Sequence, residues 1–208
     1  MRPFRGEALP DPDECRAVIC LGGKEFAADR DEHLLREREF LRCAAVTDVP
    51  TLGICLGSQL LAVALGGQAI RGGTHAEVGF IDVVGTDDAA GDWTGTRFSF
   101  HSDTFTLPPD ATPLARSREY PQAFAFRRTI GVQYHPESSV AGIRQLMEGE
   151  PDKVRAAGAD PEQISRDALG YESEGGRHLA VLIDQLLVAD PAATTTRLCK
   201  SGGNDHER

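Results

Sequence analysis

In the stretch Pro50-Thr51-Leu52-Gly53-Ile54-Cys55-Leu56-Gly57-Ser58-Gln59, an apolar extended run meets a helical run at a cysteine. The helical pattern holds over 56–65 and is closed by Gly66-Gly67. Strand, sharp turn and helix with a thiol at the apex form the cysteine counterpart of the G-x-S-x-G nucleophile elbow. The flanking glycines are expected to let the backbone pass close to the helix and to bear the strained dihedrals of the turn. A thiol at a helix N-terminus also feels the positive end of the macrodipole, which favours the reactive thiolate. An ordinary core cysteine ending a buried strand has no need of glycine on both sides.

Working outward, 17–21 is a short apolar run stopped by Gly22-Gly23, a strand buried in a parallel manner. The pattern over 29–46 is helical, with Asp31 and Glu32 in its first turn and Glu32 spaced to pair with Arg36. Residues 78–84 and 97–100 read as strands, and 114–116 and 123–126 as shorter ones. Residues 130–135 alternate with period two and stop at Pro136, so the strand ends on His135. Helical patterns follow at 140–147, 161–169 and 177–188, the last with Leu179, Leu182, Ile183 and Leu186 on one stripe. The order predicts an α/β fold: a mostly parallel open sheet flanked by helices. In such sheets the site lies at the carboxyl ends of the strands. Gly22-Gly23, Cys55 and His135 all fall there.

The chain has 208 residues, enough for one domain with a sizeable core; residues 1–190 are expected to form it and 191–208 a disordered tail. A formal net charge of −10 argues against nucleic acid or an anionic membrane as main partner. No run approaches the ~20 apolar residues of a membrane span. The first thirteen residues hold no apolar core of a secretory signal. Five cysteines (Cys15, Cys20, Cys43, Cys55, Cys199) are odd in number and lack C-x-x-C spacing, which fits reduced thiols in a cytoplasm. No bound metal or cofactor is expected, because no histidine or acidic cluster lies at ligand spacing from them.

A cysteine nucleophile needs a base, and the base needs an orienting group. His135-Pro136-Glu137 supplies both, with proline fixing the backbone between them. By itself the tripeptide also describes a surface histidine beside a turn; the elbow is what raises it above that. An oxyanion hole in an elbow enzyme uses the amide after the nucleophile and one from a glycine-rich loop after an earlier strand. The Leu56 and Gly23 N–H groups fit those roles.

Together, Gly53-Ile54-Cys55-Leu56-Gly57-Ser58-Gln59 and His135-Pro136-Glu137 resemble the class I (triad) glutamine amidotransferases. The segments Phe100-His101-Ser102-Asp103-Thr104-Phe105-Thr106-Leu107-Pro108, Leu114-Ala115-Arg116-Ser117 and Gln122-Ala123-Phe124 are similar to the stand-alone proteins related to the glutaminase domain of GMP synthase. The resemblance spans about 17–187. It implies that Cys55, His135 and Glu137 form a triad that hydrolyses the glutamine side-chain amide through a thioester, giving glutamate and ammonia. It also implies that Gly23 and Leu56 hold the oxyanion, and that Gln59, His101 and Ser102 bind the substrate's α-amino and α-carboxylate ends. If nitrogen transfer is its role, the resemblance implies a separate synthetase or other ammonia-acceptor subunit as partner, since the sequence shows no P-loop.

Two departures stand out. The glycine pair of the family is followed by proline, and Lys24 stands there instead. The family opens with a strand–helix unit before the strand at 17, a unit of about 30 residues, whereas only sixteen mostly polar, proline-containing residues with no apolar run precede Ala17. Either the true start lies upstream, or the sheet lacks its first strand–helix unit and presents an exposed edge. Two other functions fit the residues: a stand-alone γ-glutamyl peptidase or hydrolase, and a catalytically silent regulatory module of the same fold.

Overall fold

A computed structural model describes residues 1–72, 75–87, 89 and 93–188. The expected tail, with Cys199, lies outside these residues. Two 3-10 turns, Pro3–Arg5 and Pro12–Glu14, lead into β1 (Val18–Cys20). Then come α1 (Glu32–Val46), β2 (Thr51–Ile54), α2 (Leu56–Ala64), β3 (Ala69–Ile70), β4 (Glu77–Gly85), β5 (Gly95–His101) and β6 (Thr104–Phe105). The chain continues through β7 (Thr112–Arg116), β8 (Pro121–Phe126), β9 (Thr129–Val132), α3 (Val140–Gly149), α4 (Pro151–Ala156) and α5 (Pro161–Val188).

Seven strands form one sheet in the order β1-β2-β9-β8-β7-β4-β5, flanked by helices as expected. The β1·β2 and β2·β9 pairings are parallel, and the remaining four are antiparallel. The parallel strands therefore sit together on one side, and they include the strand that leads into Cys55. The small pair β3·β6 stands apart. β1 lies at the sheet edge, where Ile19 and Leu21 are more than half exposed.

Side-chain alternation divides the core. Leu52, Ile54, Val132 and Tyr134 pack toward Leu182 and Leu186 of α5. Phe105 and Phe124 join Leu34, Leu41, Leu60 and Leu61 of α1 and α2 in a second cluster. Phe98 and Phe100 of β5 meet Ile143, Met147, Ile164 and Tyr171 in a third. Each is the buried half of a period-2 strand meeting a helix stripe.

Two expected boundaries shift. Helices predicted at 161–169 and 177–188 are one continuous helix, α5. Gly175 sits where an added Cβ would lie 3.0 Å from the Pro136 carbonyl oxygen and 2.9 Å from the Tyr171 ring. Glycine in the middle of α5 thus answers a close approach rather than a break. The strand predicted to end on His135 leaves the sheet after Val132. From there Gln133 N–H donates to the Gln122 carbonyl, and His135 N–H donates to the Phe98 carbonyl on β5. The segment thus changes partner, from β8 to β5, as it reaches the histidine. No helix among the described residues is long and apolar enough to cross a membrane.

Candidate active site

The elbow forms as the sequence indicates, with one correction. Cys55 itself has φ +52° and ψ −111°, so the nucleophile position bears the strain expected of the glycines. Gly53 and Gly57 serve close approach instead. A Cβ on Gly53 would lie 2.6 Å from the Gly57 carbonyl oxygen, and one on Gly57 would overlap the Cys20 carbonyl. These two contacts allow α2 to start directly against β1 and β2. Cys55 N–H donates to the Val132 carbonyl at 2.8 Å, which ties the apex to the end of β9. The Cys55 carbonyl accepts from the Ser58 and Gln59 N–H groups, so α2 begins on the cysteine's own peptide. Leu56, at the first position of α2, has no intrahelical acceptor for its N–H.

His135 and Glu137 meet as their spacing suggests: Nδ1 lies 2.7 Å from Glu137 Oε1. The imidazole is almost fully buried, while the carboxylate is partly open to solvent. Burial is the largest single influence on His135 and opposes its charge, while the charge and hydrogen bond of the Cys55 sulfur, and after them those of Glu137, act in the other direction. Together Cys55 and Glu137 push His135 up to about 10. Cys20 is the opposite case. Desolvation, aided by Glu37, pushes its thiol up to about 12, so it stays protonated and inert.

Gly22 joins the glycine loop to this pair. A Cβ there would meet His135 Cε1 at 3.2 Å and Cys55 Cβ at 3.4 Å. Gly23 is equally confined, since its Cβ would fall 2.6 Å from both Leu56 Cδ2 and Glu25 Oε2. Lys24 reaches away, to within 3.8 Å of Glu150 at the α3–α4 junction. Cys55, His135, Gly22-Gly23 and Leu56 therefore converge on one point.

Gln59, His101 and Ser102 are arranged differently. Gln59 is buried, and its Nε2 donates to the Asp103 carbonyl at 2.9 Å and to Gln133 Oε1 at 3.2 Å. His101 is buried with Nε2 3.0 Å from Glu77 Oε2, and Gln122 Nε2 donates to the same oxygen at 2.7 Å. The side chains of Gln59 and His101 thus hold the 101–103 loop from inside. Ser102 remains partly exposed on that loop.

Sequence reasoning missed two contributions. Gln133 places Nε2 3.7 Å from Cys55 Sγ, and only the period-2 alternation of 130–135 hints at a buried position. From α5, Tyr171 and Gly175 back Pro136, and His178 Nε2 lies 2.7 Å from Tyr134 Oη. No group of three or more metal-ligating side chains occurs among the described residues.

Several known proteins are similar to this chain. The family described as glutamine amidotransferase class-I matches residues 11–146. A γ-glutamyl-L-1-hydroxyisopropylamide hydrolase from a Pseudomonas species is 38% identical over 138 residues, covering 59% of this chain and 47% of that protein. A glutamine-hydrolysing GMP synthase from Burkholderia vietnamiensis is 33% identical over 172 residues, covering 73% of this chain and 30% of the synthase. The chain thus spans less than half the length of these curated relatives. A solved glutamine amidotransferase from Thermotoga maritima superposes with a TM-score of 0.80 at 29% identity, over 89% of this chain and 84% of that one. Another, from Methylobacillus flagellatus, gives 0.81 at 26% identity, over 99% and 86%. The chain belongs to the glutamine amidotransferase class-I family.

Proposed function

We propose that this chain is a glutaminase of the amidotransferase type, using Cys55, His135 and Glu137 as a triad in a cytoplasmic domain spanning 1–190. The observation that carries the reading is geometric: the strained Cys55 elbow meets the His135–Glu137 pair (Nδ1 to Oε1, 2.7 Å) around Gly22, where an added Cβ would touch His135 Cε1 at 3.2 Å and Cys55 Cβ at 3.4 Å. That is the pairing a thiolate nucleophile requires.

The Cys55 thiolate attacks the side-chain amide carbon of glutamine, and the electron pair moves onto the amide oxygen. Gly23 and Leu56 N–H groups receive that oxyanion. His135 gives its proton to the departing nitrogen, ammonia leaves, and a γ-glutamyl thioester remains on Cys55. The now neutral His135 takes a proton from water, the hydroxyl adds to the thioester carbon, and glutamate leaves as the sulfur recovers its electron pair. Glu137 holds the imidazole by Nδ1 throughout. The substrate's α-amino and α-carboxylate ends fall to the 101–103 loop: Ser102 and the backbone on its open side, Gln59 and His101 bracing it from within. Ammonia passes to an acceptor on a separate synthetase subunit, a role suggested by similarity to part of a glutamine-hydrolysing GMP synthase.

A second reading has its own support. Similarity to a hydrolase of a γ-glutamyl N-alkyl amide favours hydrolysis of a substituted amide, by the same triad. The two readings separate on leaving group. Purified protein is incubated with glutamine or with γ-glutamyl isopropylamide, and glutamate release is measured for each. A kcat/KM for glutamine at least as high as for the alkyl amide supports the first reading, and the reverse supports the second. Trapping with either substrate places a thioester on Cys55; an adduct on Cys15 or Cys43 sinks both.

A further inference from the structure

Gln133 lies two residues before His135, fully buried, and the mechanism above does not use it. Its Nε2 faces Cys55 Sγ at 3.7 Å, and its Oε1 accepts from Gln59 Nε2 at 3.2 Å. Which end of a glutamine amide is nitrogen is ordinarily settled by its neighbours. Here the neighbours form a chain with one unambiguous end. The Asp103 backbone carbonyl can only accept, so Gln59 must turn its NH2 toward it. That same NH2 also meets Gln133, so Gln133 must present oxygen on that side. Its NH2 is then left facing the sulfur. Reversing either amide would set donor against donor or acceptor against acceptor.

We propose that Gln133 is a further catalytic residue, a fixed N–H donor to the Cys55 sulfur whose orientation is set by the Asp103 carbonyl through Gln59. The proposal rests on Cys55 being the nucleophile. A hydrogen bond to an ion is roughly twice as strong as one to a neutral group, so this donor favours thiolate over thiol. It acts at both ends of the cycle. Before attack it shares the thiolate with the His135 imidazolium. Once sulfur is bonded to the acyl carbon its charge is gone and the contact weakens. When hydroxyl adds to the thioester carbon, the C–S bond breaks and its electron pair returns to sulfur, and the donor strengthens as that charge reappears. Gln133 thereby improves sulfur as a leaving group. The route runs from the 101–103 loop to the reacting atom through two buried amides.

The test is the pH profile of Cys55 alkylation by iodoacetamide, followed on the full chain by peptide mass spectrometry, with circular dichroism to establish folding. Gln133→Met keeps the approximate volume and removes the donor. Alkylation at neutral pH is expected to fall about tenfold, with the profile moved about one unit upward. Gln59→Leu, which frees Gln133 to reverse, is expected to move the profile the same way by a smaller amount. A folded Gln133→Met protein with the wild-type profile overturns the proposal. If that variant does not fold, Gln133→Asn and Gln59→Leu take its place, and wild-type profiles in both overturn it. Wild-type Cys55 reacting no faster than Cys43 would instead remove the nucleophile itself, an outcome distinguishable from the loss of Gln133 alone.

Discussion

Two buried histidines in this molecule each face a carboxylate, and they differ in what lies near the ring. His135 has Glu137 at 2.7 Å on Nδ1 and the Cys55 sulfur beside it. His101 has Glu77 at 3.0 Å on Nε2, while its Nδ1 is buried with no hydrogen-bond partner among the described residues, and Glu77 is shared with Gln122. A histidine–carboxylate pair is therefore not a catalytic site in itself. In the first, a strained elbow delivers a thiol to the ring, which is what makes it the proposed catalytic pair. The second braces a loop, joining β4, β5 and β8 through one carboxylate oxygen.

The largest effect should come from exchanging the two rings' fates. His135→Gln should lower kcat for glutamine by about 10²–10⁴-fold, the usual contribution of a general acid–base. His101→Gln retains a donor for Glu77 and should act mainly on KM and thermal stability. Steady-state kinetics on both variants decides this, and equal losses of kcat would erase the distinction. Glu137→Gln should cost about tenfold or more in kcat. Its effect on the His135 proton should be smaller than that of Cys55→Ser, because the sulfur ranks ahead of Glu137 among the influences that raise it. Imidazole titration by NMR compares the two directly.

Stability should follow the same pair. The folded-state pKa of His135 is about 10, above the ordinary value near 6.5. A raised base contributes stability that is fully present below about pH 6.5 and lost as pH rises through about 10. Wild-type protein should therefore lose melting temperature between pH 7 and pH 10.5 more steeply than Cys55→Ser. Parallel melting curves for the two proteins would show that the ion pair adds nothing to folding. The smallest effect belongs to the second pair. Glu77→Gln breaks a buried bracket and should cost about 1–3 kcal/mol in chemical denaturation, while leaving the alkylation profile of Cys55 in place.

Much of the fold was legible because it rests on local patterns. The apolar run before Cys55, the helix after it and the terminating glycines of 22–23 each state their element within a few residues. The period-2 run of 130–135 announced its burial but not its change of partner, since moving from Gln122 to Phe98 depends on how β5 lies against β8 in space. Helix α5 was read as two pieces because Gly170, Gly175 and Gly176 lower helix propensity. At Gly175 the absence of a side chain is a packing requirement set by Pro136, a residue in the turn between β9 and α3. The antiparallel directions of β4, β7 and β8 were likewise beyond local reading, since they are settled by turns and pairing rather than by composition.

By itself the sequence determined the chemistry's parts: a thiol at a strand-to-helix junction, and a histidine two residues from a glutamate. These are properties of short segments, governed by backbone sterics and local spacing. Only the tertiary structure decided that Cys55 bears the strain, that Gln59 and His101 face inward, and that Gln133 turns its amide toward the sulfur. Those outcomes depend on donors and acceptors from separate strands satisfying one another in a buried space, where each orientation is fixed by the next.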